Sequence, residues 1–264
     1  MHGIGVEEGT TLTLLYAGSV TVCAPVLLKQ GAWWMARPRL ALWCWWGAFL
    51  SGVVATVSAA LLGIMLLDRH RLERSHDVAS SIGLEAAAWG IILLIVGALA
   101  VTAGRAELVL FAGRDRRRDL ATLASTRALW SQQRERFELV VLDTDLDVAC
   151  SLPGRRPRVL ISRGLLATLS DAEVEAVLCH EEAHLVGRHN ELARLAEIGA
   201  ACFPWLPASR DLRRLTSLLV ELAADDHARR CVGRDATASA LAKMAGGSAK
   251  PTLELRAERT ARRP

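Results

Sequence analysis

The hydrophobic pattern divides the chain into an apolar N-terminal part and a more polar remainder. Three uncharged apolar stretches lie at residues 9–28, 40–67 and 86–104. Each is long enough to cross the hydrocarbon core of a bilayer as a helix. From residue 105 to residue 136, leucines and arginines recur at near-helical spacing. This pattern predicts a helical extension of the third span, followed by a basic amphipathic linker at the lipid headgroups.

The remainder of the chain predicts a small sheet followed by helices. Two short β-branched runs, at residues 137–142 and 158–162, are separated by turn residues and predict an antiparallel β-element. Residues 170–191 and 211–231 predict two long helices, and Ser170 with Glu173 predicts a capping box at the start of the first. The predicted fold class is mainly α, with N-terminal transmembrane helices followed by an α+β domain.

These patterns predict four regions. A three-helix transmembrane region covers residues 1–104, the basic amphipathic linker covers 105–136, a folded domain covers 137–245, and a flexible tail rich in Gly, Ala, Arg and Glu covers 246–264. The hydrophobic fraction of 52% exceeds that of an ordinary soluble protein, which agrees with membrane spans. Glu7 and Glu8 precede the first apolar stretch without any Lys or Arg, so we expect an uncleaved anchor rather than a signal peptide.

Basic residues next to the apolar stretches predict the orientation in the membrane. Three of them, Lys29, Arg37 and Arg39, separate the first two stretches, and five follow the third: Arg105, Arg114, Arg116, Arg117 and Arg118. Basic loops stay on the cytoplasmic side, so we expect a multi-pass protein of the cell membrane with residues 105–264 in the cytoplasm. The N-terminus and the loop at residues 68–85 are expected outside.

The run of arginines could instead suggest nucleic-acid binding. The net charge of +4 is modest, and neither an aromatic-basic platform nor a recognition-helix pattern accompanies the run. Anionic lipid headgroups are the better match for basic residues beside a span. The expected partner is therefore the lipid bilayer, and no nucleic acid.

The chemistry of the chain centres on the predicted helix at residues 170–191, which contains His180-Glu181-Glu182-Ala183-His184. Residues i and i+4 lie about 40° apart around a helix, so both imidazoles can reach one metal ion while Glu181 stands beside it as a base. This His-Glu-x-x-His pattern is typical of zinc peptidases.

Catalytic zinc usually takes three protein ligands, so a third is needed besides the two histidines. Glu221 and Asp225 share one face of the predicted helix at residues 211–231, which makes Glu221 a candidate ligand and Asp225 a candidate to orient a ligating imidazole. His189 would lie about 180° from His180 on a continuous helix and cannot share its metal unless the chain breaks. His227 is either an oxyanion-stabilising residue or a surface residue.

The segments HEEAHLVGRH, ELAAD and RVLISRGLLATLSDAEVEAVLCHEEAH resemble the gluzincin membrane peptidases. These include the HtpX and CAAX prenyl protease group and the BlaR/MecR-type sensor peptidases, and the resemblance covers about residues 138–232. It implies a zincin-like catalytic domain with one Zn²⁺ held by His180, His184 and Glu221, with Glu181 as general base and Asp225 in support. It also implies a protein or peptide substrate that pairs with a strand near residues 148–151.

Two departures from the resemblance change the expectations. No penicillin-binding sensor domain follows the motif, so antibiotic sensing is not expected, and Glu182 is acidic where an apolar residue is common. The predicted function is a membrane-anchored zinc-dependent endopeptidase in regulatory or quality-control proteolysis. The alternatives are a membrane-bound regulatory or scaffold protein with a degenerate zinc site, and a transporter-like protein, which the lack of charges within the spans disfavours.

A reporter fused after Gly113 tests the predicted orientation. Because arginines flank the third span there, we expect activity only from a reporter that works in the cytoplasm. A fusion within residues 68–85 is the control and should give the reverse result. Activity of an export-dependent reporter after Gly113 would contradict the orientation.

Overall fold

The computed structural model describes residues 3–73, 78–246 and 251–262. These residues are mostly helical, with one small sheet, which confirms the predicted fold class. The chain forms two compact units: Met1–Glu107 with Gly199–Leu212, and Leu108–Ile198 with Arg213–Pro264. The boundaries of the four predicted regions remain predictions.

The first unit consists mainly of long apolar helices. They are α1 (Gly3–Lys29), the short α2 (Trp33–Ala36), α3 (Pro38–Glu73) and the first part of α4 (Val78–Thr126). Among the described residues, three helical segments are long and apolar enough to cross a membrane: Glu8–Lys29, Pro38–Met65 and Val96–Thr126. They suggest membrane association. The predicted external loop at residues 68–85 lies partly outside the described residues.

Small residues let the long apolar helices pack closely. Ala17 of α1 and Ala41, Ala55 and Ala59 of α3 are buried, while large apolar side chains such as Leu61 are exposed. Small side chains allow helix backbones to approach, and exposed apolar side chains suit contact with lipid. The exposed apolar surface of these helices is therefore consistent with a bilayer environment.

The second unit begins with the last part of α4, from Leu108, and continues with a four-stranded sheet in the order β1-β2-β4-β3. The strands are β1 (Ala128–Gln133), β2 (Glu138–Leu142), β3 (Ala149–Leu152) and β4 (Arg158–Ser162). β2 and β4 pair in parallel, whereas β1 pairs with β2 and β3 pairs with β4 in antiparallel fashion. The predicted antiparallel pairing of residues 137–142 with 158–162 is therefore wrong.

The intervening strand explains the error. β3 runs opposite to β2, and β4 then returns along β3 as a hairpin, so that β4 runs in the same direction as β2. The central strands are buried on both faces: Leu139, Val141, Val159 and Ile161 pack in one cluster, and Val140, Leu142 and Leu160 in another. Such continuous apolar runs are typical of parallel strands covered on both sides. Within the region predicted as a helical extension and linker, α4 extends to Thr126 and residues 128–133 form β1.

Among the residues that the structure describes, six helices follow the sheet: α5 (Arg163–Thr168), α6 (Asp171–Val186), α7 (His189–Cys202), α8 (Pro207–Val232), α9 (Arg234–Gly246) and α10 (Pro251–Arg262). The capping box of Ser170 and Glu173 is present at the start of α6. The Glu173 carboxylate also accepts hydrogen bonds from Ser239 and Lys243 of α9, both at 2.6 Å. These bonds lower the pKa of Glu173 to about 2 and join α9 to α6.

The predicted flexible tail is corrected over residues 251–262, which form α10. Ion pairs join α10 to α8, because Arg256 lies 2.7 Å from Asp225 and Arg259 lies 3.1 Å from Asp226. The polar composition that suggested mobility instead reflects one charged face of a packed helix.

Candidate metal centre

Two imidazoles and one carboxylate converge in the second unit. The Nε2 atoms of His180 and His184 lie 3.1 Å apart. Oxygens of Glu221 lie 3.5 Å from each of these nitrogens. One ligand atom from each residue can be chosen so that all three lie within 4.8 Å of one another. The structure thus brings together the three side chains that the sequence suggested as ligands.

Two helices position this cluster. His180 and His184 stand one turn apart on α6, and Glu221 and Asp225 stand one turn apart on α8. The two imidazoles are largely buried, with side-chain exposures of 14% and 11%. Helical spacing therefore places each pair on one face, and the two faces meet at the cluster.

Asp225 holds His180 from the side opposite the cluster. The Nδ1–H of His180 donates to Asp225 Oδ1 at 3.0 Å, which turns Nε2 towards His184 and Glu221. Asp225 is fully buried, with 1% of its surface exposed. A hydrogen bond to the ring nitrogen that does not bind metal fixes the tautomer and orientation of a ligating histidine. The observed contact matches the supporting position that the sequence suggested.

Arg256 of α10 is part of the site, although the sequence reasoning missed it. Its guanidinium donates to both Asp225 oxygens, at 2.7 and 2.8 Å, and Nη1 lies 2.8 Å from Glu221 Oε2. Arg256 is itself buried. A buried carboxylate requires such a partner. The adjacent acids Asp225 and Asp226 could have predicted such a partner. Two carboxylates near the buried face of a helix need cationic side chains from elsewhere in the chain to pair with them.

His189 also contacts the site, through a break in the helix. α6 ends at Val186, Arg188 has a φ of +49°, and α7 begins at His189. The Nδ1 atoms of His189 and His184 consequently lie 3.1 Å apart. His189 was excluded from the metal on sequence grounds only for a continuous helix, and the helix breaks at Arg188. His189 contacts the edge of His184 that faces away from Glu221.

Gly187 makes this turn possible. A Cβ atom at this position would collide with the His189 ring and with the backbone carbonyl of Ala183. The glycine therefore permits the close approach of His189 to the end of α6.

The two imidazoles have opposite pKa shifts. Burial acts to lower the pKa of His180, but hydrogen bonds with Asp225 and Glu221 outweigh it and raise the pKa to about 10. Burial, followed by the charge of His180, lowers the pKa of His184 to about 3. Burial opposes ionisation of Glu221, but His180 and Arg256 lower its pKa to about 2. Asp225 and Glu221 thus stabilise positive charge at His180. A metal cation bound at Nε2 would place positive charge at the same point.

Glu181 lies in the same cavity and faces β3. Burial raises the pKa of Glu181 above its ordinary value, against the charge of His180 and hydrogen bonds from the hydroxyl and backbone N–H of Ser151. A carboxylate with a raised pKa is suited to general-base chemistry near neutral pH. The neighbouring Glu182 pairs with Arg136 at 3.5 Å and does not line the cavity.

A cavity of about 510 Å³ surrounds the cluster. β3 forms one wall through Ala149, Cys150 and Ser151, and the sheet order leaves β3 as an edge strand beside the cavity. His227 is not among the described residues that line this cavity, whereas Arg256 is. The oxyanion role considered for His227 is therefore not supported by its position.

Comparison with known proteins gives a family match. Residues 113–202 match the model of Peptidase family M48. The match confirms the predicted resemblance and supports a metallopeptidase, since M48 peptidases are metal-dependent. It includes His180, Glu181 and His184 and ends before Glu221, Asp225 and Arg256. A search of curated proteins gave no match.

The Zn²⁺ affinities of alanine variants test which side chains bind the metal ion and which orient its ligands. We expect Glu221→Ala to lose Zn²⁺ on dialysis, because a ligand atom is removed. Asp225→Ala and His189→Ala should each weaken Zn²⁺ binding by about 10- to 100-fold, because each leaves an imidazole without its orienting partner. Competition with a chelator measures these affinities. His227→Ala is the control, and an unchanged affinity in His189→Ala would contradict the role assigned to that contact.

Proposed function

We propose that the protein is a membrane-anchored zinc-dependent endopeptidase that acts in regulatory or quality-control proteolysis. The observation that carries this proposal is the convergence of His180, His184 and Glu221 beside Glu181 in one cavity. The match to Peptidase family M48 supports it independently of the geometry.

The donor set suits a single Zn²⁺ ion. Two imidazole nitrogens and one carboxylate oxygen form a common ligand set of catalytic zinc, whereas structural zinc usually takes four protein ligands. His180, His184 and Glu221 would hold the ion, with ligand atoms that lie within 4.8 Å of one another. When bound, zinc supplies Lewis acidity that polarises a carbonyl group and lowers the pKa of water in the site.

Glu181 is the proposed general base. Its carboxylate accepts a proton from the attacking water and passes that proton to the leaving amine nitrogen of the cleaved peptide bond. Hydrogen bonds from Ser151 hold the carboxylate towards β3. Burial raises the pKa of Glu181, which makes its carboxylate a stronger proton acceptor.

Three further residues position this machinery. Asp225 fixes the Nδ1 proton of His180, and His189 contacts Nδ1 of His184, so that both Nε2 atoms face Glu221. Arg256 offsets the negative charge of Glu221 and Asp225 inside the protein. These contacts hold the ligands ready before a substrate arrives, which reduces reorganisation during the reaction.

The edge strand β3 is the proposed site of substrate backbone binding. Only one side of β3 is paired within the sheet, and its residues line the cavity. An extended peptide can add to such an edge through backbone hydrogen bonds. An edge strand can pair with the middle of a chain, which favours cleavage within the substrate over trimming of its end.

We further propose that the protein spans the cell membrane several times with its catalytic unit in the cytoplasm. Three apolar helices support membrane anchoring, and the arginines that follow the third apolar stretch support the orientation. The substrates would then be cytoplasmic proteins or the cytoplasmic parts of membrane proteins.

Replacing Glu181 by Gln tests the proposed reaction. The variant keeps the shape of the side chain and removes the proton acceptor, so we expect turnover of an unfolded casein-like substrate to fall by at least about 100-fold. The zinc content per chain should be unchanged. Glu182→Gln is the matched control, since that neighbour pairs with Arg136 outside the cavity. Hydrolysis by Glu181→Gln near the parental rate would show that Glu181 is not the base, and zinc-loaded parental protein without any hydrolysis would favour the scaffold alternative.

A further inference from the structure

A second cavity lies wholly within the first unit and shares no lining residue with the candidate metal centre. It is a groove of about 380 Å³ between α1, α3 and the segment at residues 203–212. We infer that this groove binds one acyl chain of an anionic membrane phospholipid, with the headgroup at the end near Lys29. The inference does not depend on the proposed peptidase function.

Apolar side chains form the groove wall. They include Ala24 of α1 and Trp45 and Phe49 of α3, and no charged side chain is among the described residues that line the groove. The hydroxyl of Thr56 donates to the backbone carbonyl of Gly52 at 2.8 Å, so this donor is already used within α3. A polar ligand would lose hydration here without gaining a partner, and water does not readily fill an apolar cavity. The wall therefore favours a hydrocarbon occupant.

The groove is long and narrow. Its lining residues on α3 run from Trp45 to Val57, which corresponds to about 18 Å along the helix at about 1.5 Å per residue. A volume of about 380 Å³ spread over this length leaves room for a single extended chain. A helix has a diameter of about 10–12 Å and would need several times that volume. The shape therefore favours an acyl chain over a transmembrane helix of another protein.

The groove opens on the outer surface of the helices. Val53 and Val57 line it and nevertheless have 42% and 54% of their surface exposed. Both valines lie within Pro38–Met65, and Ala24 lies within Glu8–Lys29, which are two of the segments long and apolar enough to cross a membrane. Exposed apolar side chains on such segments suit contact with lipid. An acyl chain of the surrounding bilayer can therefore enter the groove from the side.

The two ends of the groove differ in charge. Lys29 stands one turn after the lining residue Pro25 and pairs with Asp211 of α8, whereas the end near Val57 reaches an uncharged part of α3. The charged residues between positions 9 and 67 all lie between the end of α1 and the start of α3: Lys29, Arg37 and Arg39. These cations outnumber the carboxylate of Asp211. An amphiphile with an anionic headgroup at this end and its chain in the groove therefore matches both ends.

Hydrogen bonds hold the third wall of the groove in shape. Phe203 and Leu206 line the groove from the segment between α7 and α8. The Ser209 hydroxyl lies 2.6 Å from the backbone carbonyl oxygen of Phe203 and 2.8 Å from that of Leu206, so it can donate to either. Arg105 of α4 donates to the backbone carbonyl of Cys202 at 3.4 Å, at the start of the same segment. The chain itself orders this wall, so that binding an acyl chain requires little further ordering.

Photolabelling of the full-length protein in phosphatidylcholine vesicles tests the inference. The vesicles contain a small fraction of a probe lipid, either phosphatidylglycerol or phosphatidylcholine, that carries a diazirine in one acyl chain, and mass spectrometry maps the adducts. The readout is the ratio of adducts on Phe49, which lines the groove, to adducts on Leu61, which is exposed on the same helix. We expect this ratio to be at least about 5-fold higher with the phosphatidylglycerol probe, the effect of one net cation near an anionic headgroup. Excess unlabelled phosphatidylglycerol should reduce the adducts on Phe49 and leave those on Leu61 unchanged.

Filling the groove should remove this labelling. Ala48→Trp on α3 and Ala24→Phe on α1 each place a large side chain in the groove from opposite walls. In both variants the ratio of Phe49 to Leu61 adducts should fall by at least about 10-fold, because an acyl chain and the new side chain cannot share the space. Val54→Trp is the matched control. It changes a residue that has 64% of its surface exposed and does not line the groove, and it should keep the parental ratio.

Several results would overturn the inference. One is an equal ratio of adducts with the two probes, and another is labelling of Phe49 that unlabelled phosphatidylglycerol does not reduce. A parental ratio in both filling variants would have the same meaning. Absence of adducts on Phe49, while a differently tagged copy of the chain co-purifies, would assign the groove to a second copy instead. None of these measurements uses peptide hydrolysis, so their outcome is independent of the proposed function.

Discussion

The buried carboxylate of Asp225 is the constraint on which the rest of the site depends. It has 1% of its surface exposed and contacts His180 on α6 and Arg256 on α10. Leaving such a charge without its partner costs about 3–5 kcal/mol, so α6, α8 and α10 are held together at this point. The same contacts orient His180 and place Arg256 against Glu221. One buried charge thereby links the packing of three helices to the geometry of the candidate metal centre.

The sheet and helix α9 also hold parts of the site in place. The sheet places β3 at an edge, where Ser151 contacts Glu181, and the Glu173 network joins α9 to the start of α6. The proposed base and the candidate ligands therefore belong to elements that are each fixed by burial or by hydrogen bonds. A site on such elements is suited to holding its groups in place before a substrate binds.

The sequence predicted those parts of the site whose signal is local. His180, Glu181 and His184 share one turn of one helix, and the i, i+4 spacing of Glu221 and Asp225 is equally local. Local spacing could not identify Arg256 or His189 as parts of the site. Arg256 lies on another helix, 31 residues after Asp225, and the contact of His189 depends on a helix break at Arg188. The direction of β2 and β4 was missed for a similar reason: strand pairing is a long-range property, and the short β3 between them has a weak pattern.

X-ray absorption at the zinc edge of the zinc-loaded protein tests the central claim, that His180, His184 and Glu221 bind one metal ion. Sulfur is a real competitor as a ligand, because Cys150 lines the cavity and Cys179 directly precedes His180. The account predicts one zinc per chain, with imidazole scattering from two histidines and only nitrogen or oxygen neighbours at about 2.0–2.2 Å. A sulfur neighbour at about 2.3 Å, or zinc without imidazole scattering, would contradict it.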